Sequence, residues 1–596
     1  MNAMGASQLA TDYSGLAEDF HLSAEELEFF NTNGYIGPFK CFDEDLGEPY
    51  SELMLGKKRY FPLLDDMFQK TNKGKIGKIK GKLKGKAEQV RDTAYGKMQT
   101  LSGEKGPLGK PRHWYKSTHF LIPEVGKLGK LPQIVDRMQS ILGNDLLLWS
   151  CQIMNKKAQS HRWHEDVEHV EWTGATVWMG IDNVGPGNTM KVIPGSHLYG
   201  ISPQELAVKD GADLSSDESI LAALRKTRPE AEIVTIEMKP GWAFIFAGRA
   251  WHASHDVTDK VRSAVIFQYC APSERVRIPM TYEPPHVTFH PAQPWVMRVA
   301  GEDKFGVNHV MEAPPLTTDR LAGQAGVVTG GSRGVGLAIA ARLASHGAKV
   351  GLFARDEKRL KTAKKLLEYL YDADVAIHAG DLADAETVET GLKSIESQIG
   401  PLDILVNNAG LFRNLGPFWD FDVPTWVAEM STNLVAPYLT ARYAAKGMVA
   451  RGKGTIINFA GGGAGQAIPY GSSYSVGKAG SARLSECMAE DCKGTGVRVY
   501  GMDPGFVRTN MTAGNAVSES ALKWRPHIKN MLDSNTDQSP DHAANLCVRL
   551  ITDDSFQEQG RIGLAGPKKQ AYKLRYTEDD VKFLVKSLIK KTVLKR

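Results

Sequence analysis

No CxxC pair occurs in this chain, and its six cysteines, at positions 41, 151, 270, 487, 492 and 547, are scattered. That usage excludes a disulfide framework and a cysteine-built zinc site, and it suits a reducing compartment. An excess of one charge is also lacking. A formal net charge of +5 on 596 residues is mild and gives no argument for a nucleic-acid partner. No uninterrupted apolar run reaches the ~18 residues of a spanning helix. Met1–Ala10 has no basic region followed by an apolar one, as a secretory signal would. The closing Leu594-Lys595-Arg596 matches no peroxisomal or ER-retention address. The expectation is a cytoplasmic protein acting on a small molecule, with no nucleic acid and no stable membrane insertion.

What is present points to two domains. A single core stops growing near ~250–300 residues, and this chain has 596. Its 42% hydrophobic and 24% charged residues are ordinary for a globular protein, which rules out a wholly disordered or collagen-like chain. The texture changes at the Pro-rich, polar stretch Met311-Glu312-Ala313-Pro314-Pro315-Leu316-Thr317-Thr318-Asp319. This predicts a domain over 1–310, a linker over 311–320 and a second domain over 321–596. The first is rich in Trp, Tyr, His and Pro and reads as mostly antiparallel strands with some helices. In the second, Ala/Gly-rich helical stretches alternate with short β-branched runs, the pattern of βαβ units and a parallel sheet.

Three local features stand out. Ser23-Ala24-Glu25-Glu26 is a capping box opening a helix, with Leu27, Phe29 and Phe30 on its apolar face. Lys70 to Lys86 holds eight lysines and no acid, which reads as a solvated loop or as a lid over an anionic partner. Val581 to Arg596 has the spacing of a basic amphipathic helix that packs on its own domain or on another copy of the chain.

The chemical centre of the first half is His161-Arg162-Trp163-His164-Glu165-Asp166. On a strand, positions i and i+2 share a face, so His164 and Asp166 can both ligate one metal. An imidazole and a carboxylate completed by one distant His form the facial triad of non-haem Fe(II) oxygenases, with three coordination positions left open. His252, expected on a strand-flanking loop, is the candidate third ligand. Ten residues after it, Arg262 opens the strand Val261 to Tyr269 and can clamp a dicarboxylate with its bidentate fork. His161, His169 and His255 read as neighbours of the ligands rather than as ligands.

These residues, with Thr176-Val177-Trp178-Met179-Gly180-Ile181 and Val192-Ile193-Pro194-Gly195-Ser196-His197, resemble the phytanoyl-CoA dioxygenase-like Fe(II)/2-oxoglutarate oxygenases over about residues 20–300. The resemblance implies a double-stranded β-helix, or jelly roll, with flanking helices. It implies iron on His164, Asp166 and His252. It also implies 2-oxoglutarate on Arg262 and Ser254, in a pocket lined by Trp178.

In the second half, a buried-strand pattern, Ala325 to Thr329, runs into Gly330-Gly331-Ser332-Arg333-Gly334-Val335-Gly336 and a helix predicted over Leu337 to His346. Glycines there allow a tight turn and a close approach of pyrophosphate to a helix N-terminus. The next strand, Lys349 to Phe353, ends at Ala354-Arg355 where an acid would bind the ribose of NAD. Arg355 and Arg333 instead favour the 2′-phosphate of NADP(H).

With Asp381-Leu382, Asn407-Asn408-Ala409-Gly410, Asn433, Tyr474-x-x-x-Lys478 and Pro504-Gly505 through Val507 and Thr509, this half resembles the short-chain dehydrogenase/reductases over about residues 318–575. The resemblance implies a Rossmann fold with a doubly wound parallel sheet, and an assembly of copies through this domain. It places Asp381 at adenine, Asn408 to Gly410 along the cofactor and Thr509 at the nicotinamide. Tyr474 would be the acid/base, its pKa depressed by Lys478, and Asn433 would hold a relay water. The family also has a catalytic serine upstream of the tyrosine. Counting back from Tyr474 reaches Gly461, or Ala460, and neither offers a side-chain donor. Ser472 and Ser473 are the nearby hydroxyls. The two halves together suggest a bifunctional oxidoreductase, hydroxylating a C–H bond and then interconverting alcohol and carbonyl. The alternative is a dioxygenase with a cofactor-binding scaffold.

Overall fold

Ser23 accepts the Glu26 N–H, and the Glu26 carboxylate accepts the Ser23 N–H in return, so the predicted capping box opens the helix Ala24–Asn33. The computed structural model describes residues 19–58, 118–157, 160–166, 173–254, 258, 260–277, 279–283, 286–289, 295–311, 316–413, 415–533, 539–553 and 560–564. Lys70–Lys86, His169, His255, linker residues 312–315 and the tail 581–596 lie outside the described residues. The described residues up to Met54 and from Thr118 to Met311 form one compact unit, and those from Leu316 onward form a second. No helix among the described residues is long and apolar enough to cross a membrane.

The first unit is built from two sheets. Its seven-stranded sheet runs β1 (Tyr35–Lys40), β7 (Trp242–Ala247), β4 (Ala175–Asp182), β9 (Val261–Cys270), β2 (Leu146–Lys157), β12 (Trp295–Ala300) and β13 (His309–Met311). Every neighbouring pair is antiparallel except β12 with β13. The four-stranded sheet runs β3 (His161–His164), β8 (His252–Ser254), β5 (Met190–Val192) and β6 (Val234–Ile236). β10 (Pro279–Glu283) and β11 (His286–Phe289) pair as a separate hairpin. Trp178 and Phe244 of the larger sheet share one buried apolar cluster with Met190, Val192 and Ile236 of the smaller. The core therefore lies between the sheets, as alternating patterning requires.

The second unit has a Rossmann-like fold with one parallel seven-stranded sheet. Its order is β16 (Val375–Ala379), β15 (Lys349–Ala354), β14 (Ala325–Thr329), β17 (Leu402–Asn407), β18 (Gly454–Phe459), β19 (Val497–Asp503) and β20 (Gly560–Leu564). The chain reverses its direction of travel across the sheet at β14, the switch point where such sheets open a crevice beyond their strand ends. The helix after β14 spans Gly334–Ser345, three residues earlier than predicted, because the last glycines of the turn already form its first turn. A Cβ on Gly336 would lie 2.2 Å from the Gly330 carbonyl oxygen, so this close approach of helix to turn requires glycine. A buried polar chain stiffens the middle of the sheet. Thr440 donates to the Asn407 side chain at 2.7 Å, Asn407 to Asn458 at 2.9 Å and Asn458 to Ser485 at 3.0 Å.

Candidate active sites

In the first unit, antiparallel register brings His164 directly opposite His252 across β3 and β8. His252 is the first residue of its strand, not a loop residue as expected. Asp166 is displaced in the other sense: β3 ends at His164, and Asp166 lies in the turn beyond it. Its N–H bonds the Gly248 carbonyl at 3.0 Å, which folds the carboxylate back over the imidazoles. Asp166 Oδ1 then lies 3.6 Å from His252 Nε2 and 3.9 Å from His164 Nε2. The three ligand atoms sit within 4.8 Å of one another, so this group could hold one metal ion.

Neighbouring bonds orient each of these groups. His164 Nδ1 is 2.9 Å from the Arg162 carbonyl, and His252 Nδ1 is 2.9 Å from that of Ala250. Each Nδ1–H donates to its carbonyl, which leaves both Nε2 lone pairs aimed inward. Thr176 on β4 donates to the other oxygen of Asp166 at 2.7 Å. Burial, followed by His252 and His161, pushes the His164 pKa well below the usual histidine range. Burial would raise that of Asp166, but His252, His164 and the Thr176 hydroxyl together bring it down. At neutral pH the site therefore holds a neutral His164 and a carboxylate, the forms that bind metal. His161 stacks beside His164 at 4.2 Å without joining the triad.

On β9 of the larger sheet, Arg262 is only 1% exposed and lies 5.4 Å from the Trp178 ring. One of its nitrogens donates to the Asn188 carbonyl. Ser254 Oγ and Trp178 Nε1, both buried, have no hydrogen-bond partner among the described residues. Buried donors of this kind cost free energy unless something polar meets them. Serine hydroxyl, indole N–H and guanidinium together suit a carboxylate. The residues expected at the 2-oxoglutarate site thus fit that co-substrate.

In the second unit, a cavity of about 620 Å³ opens at the strand ends. Its lining includes Gly330, Ser332, Arg333, Gly334, Val335, Arg355, Asp381, Leu382, Asn408, Ala409, Gly410, Tyr474, Lys478, Pro504, Gly505, Val507 and Thr509. Gly336 supports this wall from behind without lining it, and Asn433 is fully buried in a π-helical turn, Ser431–Val435. Arg333 caps the helix Gly334–Ser345 without a side-chain bond, and both it and Arg355 are exposed and line the cavity. Neither forms an ion pair among the described residues.

Tyr474 and Lys478 lie one turn apart on the helix Ser472–Asp491 and line one cavity, with the ammonium 5.7 Å from the phenol ring centre. One expectation about them needs correction. Lys478 donates to the Phe459 carbonyl at 2.8 Å, and the phenol pKa is raised, not depressed. Burial is the main cause, followed by Asp503 and Glu429. Burial lowers the Lys478 pKa to about 8, against the opposing pull of Asp503. Asn433, expected to hold a water, bonds the backbone of Leu411 with both ends of its amide, each of which keeps a further hydrogen-bonding position. It accepts the Leu411 N–H at 3.1 Å and donates to its carbonyl at 2.7 Å. It is a brace for the strand-end segment, whose Gly410 would place a Cβ 3.7 Å from Lys478 Nζ.

The serine question is decided by backbone geometry. Gly461 occupies the position facing the tyrosine, since a Cβ there would lie 3.2 Å from Tyr474 Oη. Its φ of +73° is left-handed, a region natural to glycine. Ala460 is buried and does not line the cavity. Ser473 is also buried, bonded to the Glu429 carboxylate, which in turn accepts the Arg413 N–H. It does not replace the missing donor.

Sequence reading missed three contributors. Thr176 was visible within its motif but not as a partner of Asp166. Asp503 immediately precedes Pro504-Gly505, and that adjacency to a cofactor motif could have flagged it. Arg525, on the cavity wall, lies in a stretch with no motif at all.

A family model described as short chain dehydrogenase matches residues 324–519, and one described as phytanoyl-CoA dioxygenase matches residues 30–264. A short chain dehydrogenase of Pseudocercospora fijiensis is 32% identical over 249 residues, covering 40% of this chain and 79% of that protein. Gluconate 5-dehydrogenase of Gluconobacter oxydans is 35% identical over 205 residues, covering 34% of this chain and 79% of that protein. A solved structure of L-sorbose reductase from Gluconobacter frateurii, complexed with NADPH and L-sorbose, is 30% identical with a TM-score of 0.38, covering 42% of this chain and 97% of that one. The chain belongs to the short-chain dehydrogenase family through its second unit, and carries ahead of it a domain of the phytanoyl-CoA dioxygenase family.

Proposed function

We propose that the protein is a bifunctional oxidoreductase. Its first unit, read as a double-stranded β-helix, hydroxylates a small organic substrate. Its second unit interconverts the product alcohol with a carbonyl, using NADP(H). The observation that carries the reading is the convergence of His164, Asp166 and His252, each already oriented by a bond on its far side.

His164 Nε2, Asp166 Oδ1 and His252 Nε2 would hold Fe(II), while Arg262, Ser254 and Trp178 would hold 2-oxoglutarate. Iron bound with that co-substrate and O2 supplies C–H hydroxylation, with release of succinate and CO2. Thr176 fixes which carboxylate oxygen of Asp166 faces the imidazoles. Trp178, Phe244 and Phe246 form an apolar wall that excludes water.

In the second unit, Gly330 to Gly336 and Asn408 to Gly410 would cradle the cofactor, with Arg333 and Arg355 at its 2′-phosphate. NADP(H), when bound, supplies reducing or oxidising equivalents at the substrate carbon. Tyr474 retains its proton at neutral pH, the state in which it can donate to a carbonyl oxygen. Lys478, anchored on Phe459, keeps a cation beside the phenol and stabilises negative charge developing on the substrate oxygen. Fusing the two activities raises the effective concentration of a shared intermediate.

Gly461 favours a second reading, in which the second unit binds cofactor as a scaffold and only the first unit turns over. Full-length protein with Fe(II), 2-oxoglutarate and candidate substrates should form succinate, and Asp166→Ala should abolish this while NADPH binding persists. Full dioxygenase activity in Asp166→Ala would sink the metal assignment. Tyr474→Phe should remove NADPH oxidation with carbonyl substrates and spare succinate formation. If wild type oxidises NADPH with no product-like carbonyl, the scaffold reading replaces the bifunctional one.

A further inference from the structure

Besides Tyr474, the lining of the reductase cavity includes Phe412, Ile468, Arg525, His527 and Ile528. Its apolar part continues the tyrosine's own surroundings. Phe412 stacks on Tyr474 at 4.4 Å, and both share a cluster with Ile468 and Ala521. Ala521 belongs to the helix Glu519–Trp524, and its carbonyl accepts the Arg525 N–H at 2.7 Å. Arg525 is the residue that closes this helix, and it lines the same cavity as Tyr474, in a different stretch of chain from the Arg333 and Arg355 expected at the 2′-phosphate.

Arg525 has unusual surroundings for a guanidinium. Its Nε is buried and has no hydrogen-bond partner among the described residues. Its Nη2 donates to His527 Nε2 at 3.4 Å. It forms no ion pair among the described residues. The acids lining the cavity are Asp356, Asp381 and Asp503. Asp356 and Asp381 follow β15 and β16 at the adenosine end, and Asp503 acts on Lys478 and Tyr474. Beside Arg525, Tyr470 holds a left-handed backbone with φ of +60° and packs its ring on Trp524 at 4.8 Å.

We propose that Arg525 is the substrate-anchoring residue of the reductase unit, and that its substrate is a carbonyl or alcohol compound carrying a carboxylate at the end remote from the reacting carbon. This rests on the reading of the second unit as a reductase and deepens it by naming the substrate class. Such a molecule would be held at both ends: the guanidinium would take the carboxylate, Tyr474 would meet the reacting oxygen, and Phe412 and Ile468 would cover the carbon chain. A remote grip positions the reacting oxygen at Tyr474 and offsets the donor missing at Gly461. In the reducing direction, hydride passes from NADPH to the carbonyl carbon and the Tyr474 proton passes to the oxygen. The products are NADP+ and a hydroxy acid, and the carboxylate is unchanged.

The test pairs 4-oxo-4-phenylbutanoate with its methyl ester, which loses the negative charge and gains one methyl group. NADPH oxidation is followed with the full-length wild type, Arg525→Met and Arg525→Lys. In parallel, equilibrium binding of both compounds to the NADP+-loaded protein is read by calorimetry. Charge-assisted hydrogen bonds of this kind translate into a preference for acid over ester of about tenfold or more in wild type. Arg525→Met should erase the preference, and Arg525→Lys should retain part of it, with NADPH affinity unchanged in both. Acid and ester bound alike by wild type, or an equal loss of both in Arg525→Met, would overturn the proposal. So would a loss of NADPH affinity in Arg525→Met, which would make Arg525 a cofactor ligand. Discrimination in binding without any NADPH oxidation would uphold the carboxylate slot and defeat the reductase reading instead.

Discussion

Replacing Gly461 by alanine and by serine separates the cost of a Cβ from the benefit of a hydroxyl. Both variants must place an L-residue at φ +73°, which costs about 1–2 kcal/mol. Both also put a Cβ 3.2 Å from Tyr474 Oη and 3.5 Å from Lys478 Cδ and Cε, so the tyrosine hydroxyl must give by a few tenths of an ångström. A loss of that size lowers the melting temperature by ~2–8 °C for a domain of this length. A donor at the developing oxyanion is worth ~2.7–4 kcal/mol where its geometry is right. Gly461→Ala should therefore be less stable and turn over carbonyl substrates about tenfold or more slowly, because Tyr474 is displaced without compensation. Gly461→Ser should show the same loss of melting temperature but turn over faster than the alanine variant. The assays are thermal unfolding of the full-length protein and NADPH oxidation, with NADPH titration as the control for the cofactor site. An alanine variant with unchanged melting temperature and unchanged turnover would refute both the left-handed backbone and the contact with Tyr474.

Arg355→Asp should weaken NADPH far more than NADH in a fluorescence titration, since it exchanges a phosphate-pairing cation for a ribose acceptor; equal losses would remove Arg355 from cofactor choice. Thr176→Val should lower Fe(II) affinity by about 10–100-fold without abolishing it, as expected when a partner behind a ligand is lost; unchanged affinity in a metal titration would show that the bond to Asp166 is incidental. Lys478→Met should stabilise the cofactor-free protein near neutral pH, because wild type there buries an ammonium whose pKa has fallen from the usual 10.5 to about 8. Between those two values the unfolded chain binds more protons than the folded one, so wild-type stability rises with pH and the variant's advantage shrinks. Chemical denaturation of both proteins at pH 7 and pH 10 reads this, and an advantage that grows with pH would contradict the assigned shift.

Much of both sites was legible because local periodicity constrains it. Closeness in sequence marked His164 and Asp166 as a ligand pair, although not by the shared strand face expected, and an i, i+4 pair put Tyr474 and Lys478 on one helix. The glycine turn after Ala325–Thr329 marked where the parallel sheet opens, since close approach of helix to turn demands residues without a Cβ. The absence of a serine before Tyr474 was equally plain from the residues alone.

Long-range packing decided the rest. Asp166 points at the imidazoles because Gly248 and Thr176 fold its turn back, although β3 has already ended. Ser473, adjacent to the acid/base tyrosine, is claimed by Glu429, which is 44 residues away. Asn433 braces Leu411 because a π-helical turn delivers its amide there. The phenol of Tyr474 is raised because burial and Asp503 outweigh an ammonium turned toward Phe459. Arg525 reaches the cavity only through the helices that follow Thr509. Sequence spacing sets which side chains share a face within one element, over a few residues. Backbone handedness at Gly461, desolvation of Lys478 and the partners of each buried polar group depend on atoms brought up from distant parts of the chain, and these are determined only once the sheets and helices have packed.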